Sequence, residues 1–339
     1  KTEKKVSCMD ESYNNGLGLY LSVFELKVPK QKTPVSWTGL LCKALWRLVV
    51  RRPEILIVEY GIDHPGDMDV MTSFIRPDIS LLTAVTPEHM EYMQTLDKVG
   101  EEEIKVITAA KEYGVINTVD VAEQYRAGLS TQWYGYGDEP GPQVDGYFTI
   151  RSLGADGAVI DVILGATKIE NVAVKIIAVP LIRQMVGAAL LAHKLGISTD
   201  SIREGLAQIE PAASRMSLLR GVKGSLLIDD TANFSPVAGV AALRALKQLP
   251  AKRRIAILGN MHELGDYIQQ GHAEVGVEFD GVDILVLVGD LSIEHFGAIA
   301  RAKGFVDGQN LYTFQTSPEA GAFVRDSIVA PEDAILVKG

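Results

Sequence analysis

Two strand-like runs in the first third of the chain end in residues suited to polar chemistry. Ile55-Leu-Ile-Val-Glu59 closes on a carboxylate and leads into Tyr60-Gly-Ile-Asp63-His64-Pro-Gly-Asp67, and Ile79 to Val85 leads into Thr86-Pro-Glu88-His89-Met-Glu91. In open α/β sheets, ligands gather beyond the carboxyl ends of the strands. A hard cation such as Mg²⁺ takes carboxylate oxygens and waters, usually beside a phosphate. Glu59 and His89 could meet around one. The same residue types equally suit solvated loops in which His89 is hydrogen-bonded locally.

Three further clusters have comparable chemistry. Asp10-Glu-Ser12-Tyr13-Asn14-Asn15-Gly16-Leu-Gly18 pairs two amides with glycines, a turn able to hold a polar ligand or simply to cap a helix. Asp229-Asp230-Thr231-Ala232-Asn233-Phe234-Ser-Pro236 and Gly259-Asn260-Met-His-Glu263-Leu-Gly265 both fall where a strand gives way to a helix. Their acidic and amide side chains suit ribose hydroxyls and a base edge, or helix capping.

The elements that must position these groups alternate between strand and helix, as in βαβ units with a mainly parallel sheet. Strands are expected at 55–59, 79–85 and 115–117, with a short helix from Asp67 to Phe74 and another running from Pro87 through Glu101–Glu103. Tyr147 to Ile163 reads as a hairpin around Gly154-Ala-Asp-Gly157. Arg183 to Leu195 reads as a helix stopped by Gly196, with Ser198 or Thr199 capping the next one. Glu210-Pro-Ala-Ala-Ser214 reads as a hinge. Beyond it a second α/β unit is expected, with strands at 225–229, 254–259, 284–289 and 334–338. The fold class is therefore α/β, in two domains bounded at 1–213 and 214–339.

Bulk properties exclude several functions. A net charge of −10, with 22% charged residues, is unlike a protein that coats nucleic acid. Cys8 and Cys42 form no CxxC or Cys/His pattern, so zinc and disulfide stapling are not expected and a reducing cytoplasm fits. The apolar run from Gly39 to Arg51 is interrupted by Lys43 and Arg47 and spans about half the length of a membrane-crossing helix. It is expected to pack on its own domain as an amphipathic helix, without stable membrane insertion. No G-x-G-x-x-G follows a strand, which argues against a Rossmann oxidoreductase.

Taken in order, these segments resemble the Mur ligase family, in its D-alanyl-D-alanine-adding branch. Ser12 to Gly18 is similar to an Asn-Asn-x-x-Gly segment, Glu59 to Asp67 to a Glu-x-Gly strand end, and Thr86 to Glu91 to a Thr-x-x-His-Leu-Glu segment. Ser214-Arg215-Met216 resembles a Gly-Arg-Met hinge, Asp229-Asp230-Thr231 an Asp-Asp-Ser/Thr motif, and Leu258 to Gly265 and Leu336 to Gly339 complete the series. The resemblance implies a central P-loop-type ATPase domain followed by a Rossmann-like C-terminal domain. It implies ATP and Mg²⁺ as cofactors, UDP-muramoyl-peptide and D-alanyl-D-alanine as substrates, and a cytoplasmic monomer. The reaction is amide formation through an acyl phosphate.

By the same resemblance Glu59 and His89 are Mg²⁺ ligands and Arg215 approaches the phosphates. Asn117, Asp229, Asp230 and Asn233 face the nucleotide, Asn14 and Asn15 face the sugar-nucleotide, and Asn260 and Lys338 lie toward the incoming dipeptide. Where the family carries a carbamylated lysine that helps bind a second Mg²⁺, this chain has Glu103, itself an oxygen anion. The aromatic residue expected after Thr231 is Ala232, for which Phe234 is the candidate substitute, and a His-Asn pair is replaced by Arg183-Gln184. A P-loop and substrate-binding domain are expected upstream, so that the chain as given should fold but not hydrolyse ATP. Another ligase of the superfamily, cyanophycin-synthetase-like or folylpolyglutamate-synthase-like, and a scaffold without turnover are the alternatives. Residues 27–52 have no assigned role.

Overall fold

The computed structural model describes residues 3–9, 14, 16–50 and 53–339. Asn15, with residues 10–13 of the same segment, lies outside the described residues. The strands are β1 Val6–Ser7, β2 Ile55–Leu56, β3 Ile79–Leu82, β4 Tyr113–Asn117, β5 Trp133–Tyr136, β6 Gly146–Gly154, β7 Gly157–Leu164 and β8 Thr167–Val174. After the hinge come β9 Ser217–Arg220, β10 Leu226–Asp230, β11 Arg253–Leu258, β12 Ile284–Val288, β13 Leu311–Phe314 and β14 Asp333–Lys338.

They build two six-stranded sheets, ordered β3-β4-β5-β6-β7-β8 and β13-β12-β11-β14-β10-β9, and a two-stranded β1-β2 pair. In the first sheet β3 to β6 run parallel and β6, β7 and β8 form an antiparallel meander. The second is parallel throughout except for the edge strand β9. Alternation around Gly157, whose φ of 117° suits only glycine, produces the expected β6–β7 hairpin.

Several expected elements differ. The strand at 55–59 pairs only with two-residue β1, so its ladder closes at Leu56 and Glu59 lies beyond it in a loop. The helix after Pro87 is broken into Met90–Met93, Leu96–Glu103 and Lys105–Ala109. Thr95 restarts it by accepting from the Lys98 N–H, an N-cap that competes with continuous helix. The Asp67–Phe74 helix appears as expected, and the expected 183–195 helix begins earlier, at Val179, with Pro180 in its first turn. The largest departure is Pro34–Val50. It forms a helix, but none of its residues is buried: Ser36, Trp37, Leu40, Ala44 and Arg47 are half-buried along one side and the rest is exposed, so the expected packing is confined to one edge.

Each sheet has its own apolar core. Ile160, Val162, Leu164, Ile182, Val186 and Leu190 are packed between the β6–β8 meander and the 179–194 helix. Ile228, Leu243, Leu246, Leu258, Phe279 and Phe296 anchor the second unit. Inside the latter, His272 is fully buried on the Ile268–Val277 helix, with Nδ1 2.7 Å from the Ile268 carbonyl, to which it donates, and Nε2 without a hydrogen-bond partner. Burial holds its pKa down at about 4, against an ordinary 6.5. The unfolded chain therefore takes up the proton first, and stability should fall by about 2–3 kcal/mol as pH drops from 6.5 toward 4. Urea titrations at both ends of that window should show that His272→Leu loses less stability toward acid than the wild type by about that amount.

Candidate functional site

The carboxyl ends of β3 and β4 face the second domain. Beyond β3, Thr86 to His89 forms a loop in which His89 adopts φ 54°, ψ 32° as N-cap of the Met90–Met93 helix. A non-glycine side chain pays for that conformation in strain, which is tolerated where surrounding contacts hold it. Here the contact comes from the other domain. His89 Nδ1 lies 2.8 Å from Glu263 Oε2, the Glu91 N–H donates to the Glu263 carbonyl at 3.3 Å, and the Ser235 hydroxyl donates to Glu88 Oε1 at 3.2 Å. Glu263 has a left-handed φ of 61° itself. His89 Nε2 faces Asp63 Oδ1 at 3.5 Å.

A cavity of about 250 Å³ opens beside this loop, walled by Asn14, Asp63, Thr86, Glu88, His89 and Glu103 among others. The three consecutive glutamates separate by function on the Leu96–Glu103 helix. Glu101 is exposed; Glu102 is buried, accepting from the Met68 N–H at 2.8 Å and pairing with Lys105 at 2.7 Å. Glu103 turns into the cavity. Burial, followed by the charges of Glu88 and Glu102, pushes its carboxyl up to about 7. Glu59 is exposed and accepts from Asn14 Nδ2 at 3.2 Å, while the Gly61 N–H donates to the Asn14 carbonyl at 2.7 Å. A Cβ on Gly61 would lie 2.5 Å from Asn14 Nδ2, so glycine is what admits the amide.

Among the described residues no three His, Cys, Asp or Glu side chains converge as a preformed metal cage. What the cavity offers instead is a half-buried carboxyl beside a second one, with its charged form disfavoured. Such a wall fits Mg²⁺ arriving with phosphate oxygens and waters, the usual manner of binding for that ion.

Across the cleft, Asp230 at the end of β10 and Lys338 at the end of β14 are paired at 3.0 Å, with Lys338 2% exposed. Lys338 also donates to the Asn233 carbonyl, and burial lowers its pKa despite the Asp230 charge. Asp230 accepts the Met216 N–H at 3.0 Å; Asp229 accepts from Thr231 Oγ1 at 2.7 Å and from Ser214 Oγ at 3.2 Å. Ser214 and Met216 have φ of 58° and 53°, and Arg215 between them is exposed. A second cavity, of about 360 Å³, lies between the domains against Val85, Pro87, Val119, Tyr125, Val237 and Tyr267.

Several expected site residues are committed elsewhere. Asn117 is fully buried; both its N–H bonds go to Thr83 O and Asp120 Oδ2, and its oxygen accepts from the Val119 and Asp120 N–H groups. That exhausts its hydrogen-bonding capacity, so it shapes the strand end rather than meeting a nucleotide. Asn260 Oδ1 accepts from the Ser292 N–H at 3.0 Å, holding the start of the Asp290–Ala302 helix. Asn233 Oδ1 accepts from the Phe234 N–H at 2.8 Å. Phe234 is buried against Phe296 and presents no stacking face. Arg183 is buried and bridges Asp120 and Asp138, while Gln184 accepts from the Tyr136 hydroxyl at 2.6 Å; both are structural. Asn14, Glu88, His89 and Glu103 do meet. Glu263 and Glu88 were not singled out as ligand partners, although each stands within a highlighted segment.

The His89–Glu263 contact spans two partly exposed side chains, so its removal should cost at most about 1 kcal/mol of stability. Its effect should appear in domain spacing. Glu263→Ala should enlarge the radius of gyration measured by small-angle scattering while leaving the melting transition nearly unchanged.

Two α/β domains thus meet with strand ends converging on a carboxylate-walled cleft and a buried lysine opposite. Residues 17–178 match the Mur ligase middle domain and residues 214–339 the Mur ligase, glutamate ligase domain; the chain belongs to the Mur ligase family. It is 24% identical over 303 residues to the UDP-N-acetylmuramoyl-tripeptide–D-alanyl-D-alanine ligase of Bacillus subtilis, covering 86% of this chain and 58% of that protein. The Escherichia coli enzyme of the same name is 24% identical over 271 residues, 76% of this chain and 58% of that protein. The fold is that of MurF from Acinetobacter baumannii, with a TM-score of 0.76, 21% identity, and coverage of 100% of this chain and 68% of the other. It is similar also to the Thermotoga maritima MurF ligase solved in complex with ADP, at TM-score 0.70 and 21% identity over 86% of this chain and 65% of that one.

Proposed function

We propose that the whole protein is an ATP-dependent ligase that adds D-alanyl-D-alanine to UDP-N-acetylmuramoyl-tripeptide. The observation that carries this reading is the cleft itself: Glu88, His89 and Glu103 on one domain lie across from Arg215, Asp230 and Lys338 on the other, joined by His89–Glu263 and Ser235–Glu88. The names of the relatives supply the substrates, and the ADP complex of the Thermotoga maritima protein supports a nucleotide in the cleft. The domains are read as 1–213 and 214–339.

In this reading the substrate carboxylate attacks the γ-phosphorus of ATP, ADP departs, and the amine of the dipeptide then displaces phosphate from the acyl phosphate. Glu103 and Glu88, with His89 and Glu59 at the rim, would hold Mg²⁺, which supplies neutralisation of charge on the transferring oxygens. Arg215 offers a planar fork for phosphate oxygens as the hinge closes. Asp230 keeps Lys338 in place at the strand end, and Asn14 faces the sugar-nucleotide. The apolar 360 Å³ cavity between the domains suits a flat base. The reading also places the protein in the cytoplasm as a monomer.

The test is phosphate release by the whole protein with UDP-muramoyl-tripeptide, scanning D-alanyl-D-alanine against single amino acids, with the amide product weighed by mass spectrometry. Release that requires the dipeptide is expected. Equal release with glutamate would favour the folylpolyglutamate-synthase-like alternative, and no release with any acceptor would favour a scaffold.

A further inference from the structure

The Pro34–Val50 helix is the part of the molecule that neither the core nor the cleft uses. Thr33 and Ser36 cap its start, and Arg47 ties its far end to the Phe24 and Glu25 carbonyls. Nothing on it is buried. Leu41, Leu45, Leu48 and Val49 fall on one broad face at helical spacing and are 60%, 55%, 59% and 71% exposed, and Trp46 beside them is 67% exposed. An apolar strip of this kind on a soluble face marks a surface that something covers.

Charge indicates what. The chain carries a net −10, yet residues 27–52 hold seven Lys or Arg and no Asp or Glu. Lys30 and Lys32 are exposed in the segment leading into the helix, and Lys43 is exposed on the side of the helix away from the apolar strip. A second copy would bring two such basic segments together, and the repulsion between like charges opposes self-association. An anionic lipid surface satisfies both halves at once, taking the apolar side chains into the acyl boundary and the lysines at the headgroups. The helix is 17 residues long and no described helix is long and apolar enough to cross a membrane, so it must lie in the interface plane.

We propose that the Pro34–Val50 helix and the basic residues leading into it dock the protein on an anionic membrane surface. The experiment is flotation of the full protein with vesicles of equal parts phosphatidylglycerol and phosphatidylcholine, against pure phosphatidylcholine. Binding is expected to the anionic vesicles only, weakened by salt. Lys30→Glu combined with Lys32→Glu should weaken it by about fivefold or more, since each basic residue near such a surface contributes about 1 kcal/mol. Trp46→Ser should weaken it too while leaving the melting temperature unchanged, because the side chain is not part of the core. Brominated lipid should quench wild-type tryptophan emission more strongly than that of Trp46→Phe. Failure to float, or undiminished flotation of the Lys30→Glu, Lys32→Glu variant, would overturn the proposal. So would Trp46 already shielded from an aqueous quencher without lipid, which would mean that a second copy or another part of the protein covers the face.

Discussion

Glu103→Gln is expected to make the fold more stable and nearly to abolish the proposed ligase activity. The folded state holds the Glu103 proton more tightly than the unfolded chain, with a pKa of about 7 against an ordinary 4.5. Stability from this group is therefore complete below pH 4.5 and declines as pH rises to 7. Glutamine removes the buried charge and its repulsion from Glu88 and Glu102. With the side chain only partly shielded, the gain at pH 8 should be about 1–2 kcal/mol, read as a shift of the urea midpoint, and should vanish at pH 4. Mg²⁺-dependent phosphate release by the whole protein should meanwhile fall by on the order of a hundredfold, as when metal-site oxygen partners are lost elsewhere. Unchanged turnover would sink the assignment of Glu103 to the cation, whatever the stability did.

The opposite pattern is expected at Asp230. Asp230→Ala leaves Lys338 almost fully buried beside the Asn233 carbonyl without its counter-charge, and it strands the Met216 N–H. Breaking a buried pair from one side typically costs about 3–5 kcal/mol. Part of that is recovered if Lys338 sheds its proton, since burial already lowers its pKa, so a loss near 3 kcal/mol is anticipated. In a cycle built from Asp230→Asn, Lys338→Met and the double variant, the double should lose much less than the sum of the two single losses. If the two losses instead simply add, the pair is not coupled and the cleft wall is not built on it.

The residues that were legible in the sequence are those whose position follows from local rules. Strand ends collect functional groups, so Thr86 to His89 and Asp229-Asp230 were visible before any coordinates. Gly157 and an N-cap at Ser198 or Thr199 are legible for a similar reason, since local geometry demands those types, and the structure selects Ser198. Tertiary competition hid the rest. Asn117 has the right type at the right strand end, yet four hydrogen bonds absorb it, and nothing in its spacing reveals that Asp120 and Thr83 are waiting. Which of Glu101, Glu102 and Glu103 faces the cleft depends on where Thr95 restarts the helix, a cap that hydrophobic periodicity does not report. The Pro34–Val50 helix was readable as amphipathic, but periodicity does not say whether the apolar face meets the protein or something outside it.

The hinge has a consequence for motion. Ser214 and Met216 are bonded to Asp229 and Asp230, the Ala232 N–H donates to the Ser214 carbonyl, and β9 pairs Ser217 with Asp229. The exposed Arg215 is thus welded to the acidic strand end it precedes, and the two travel as one crank. A dye on either side of that joint should relax with a single shared rate when the cleft shuts, and the arginine has no trajectory of its own.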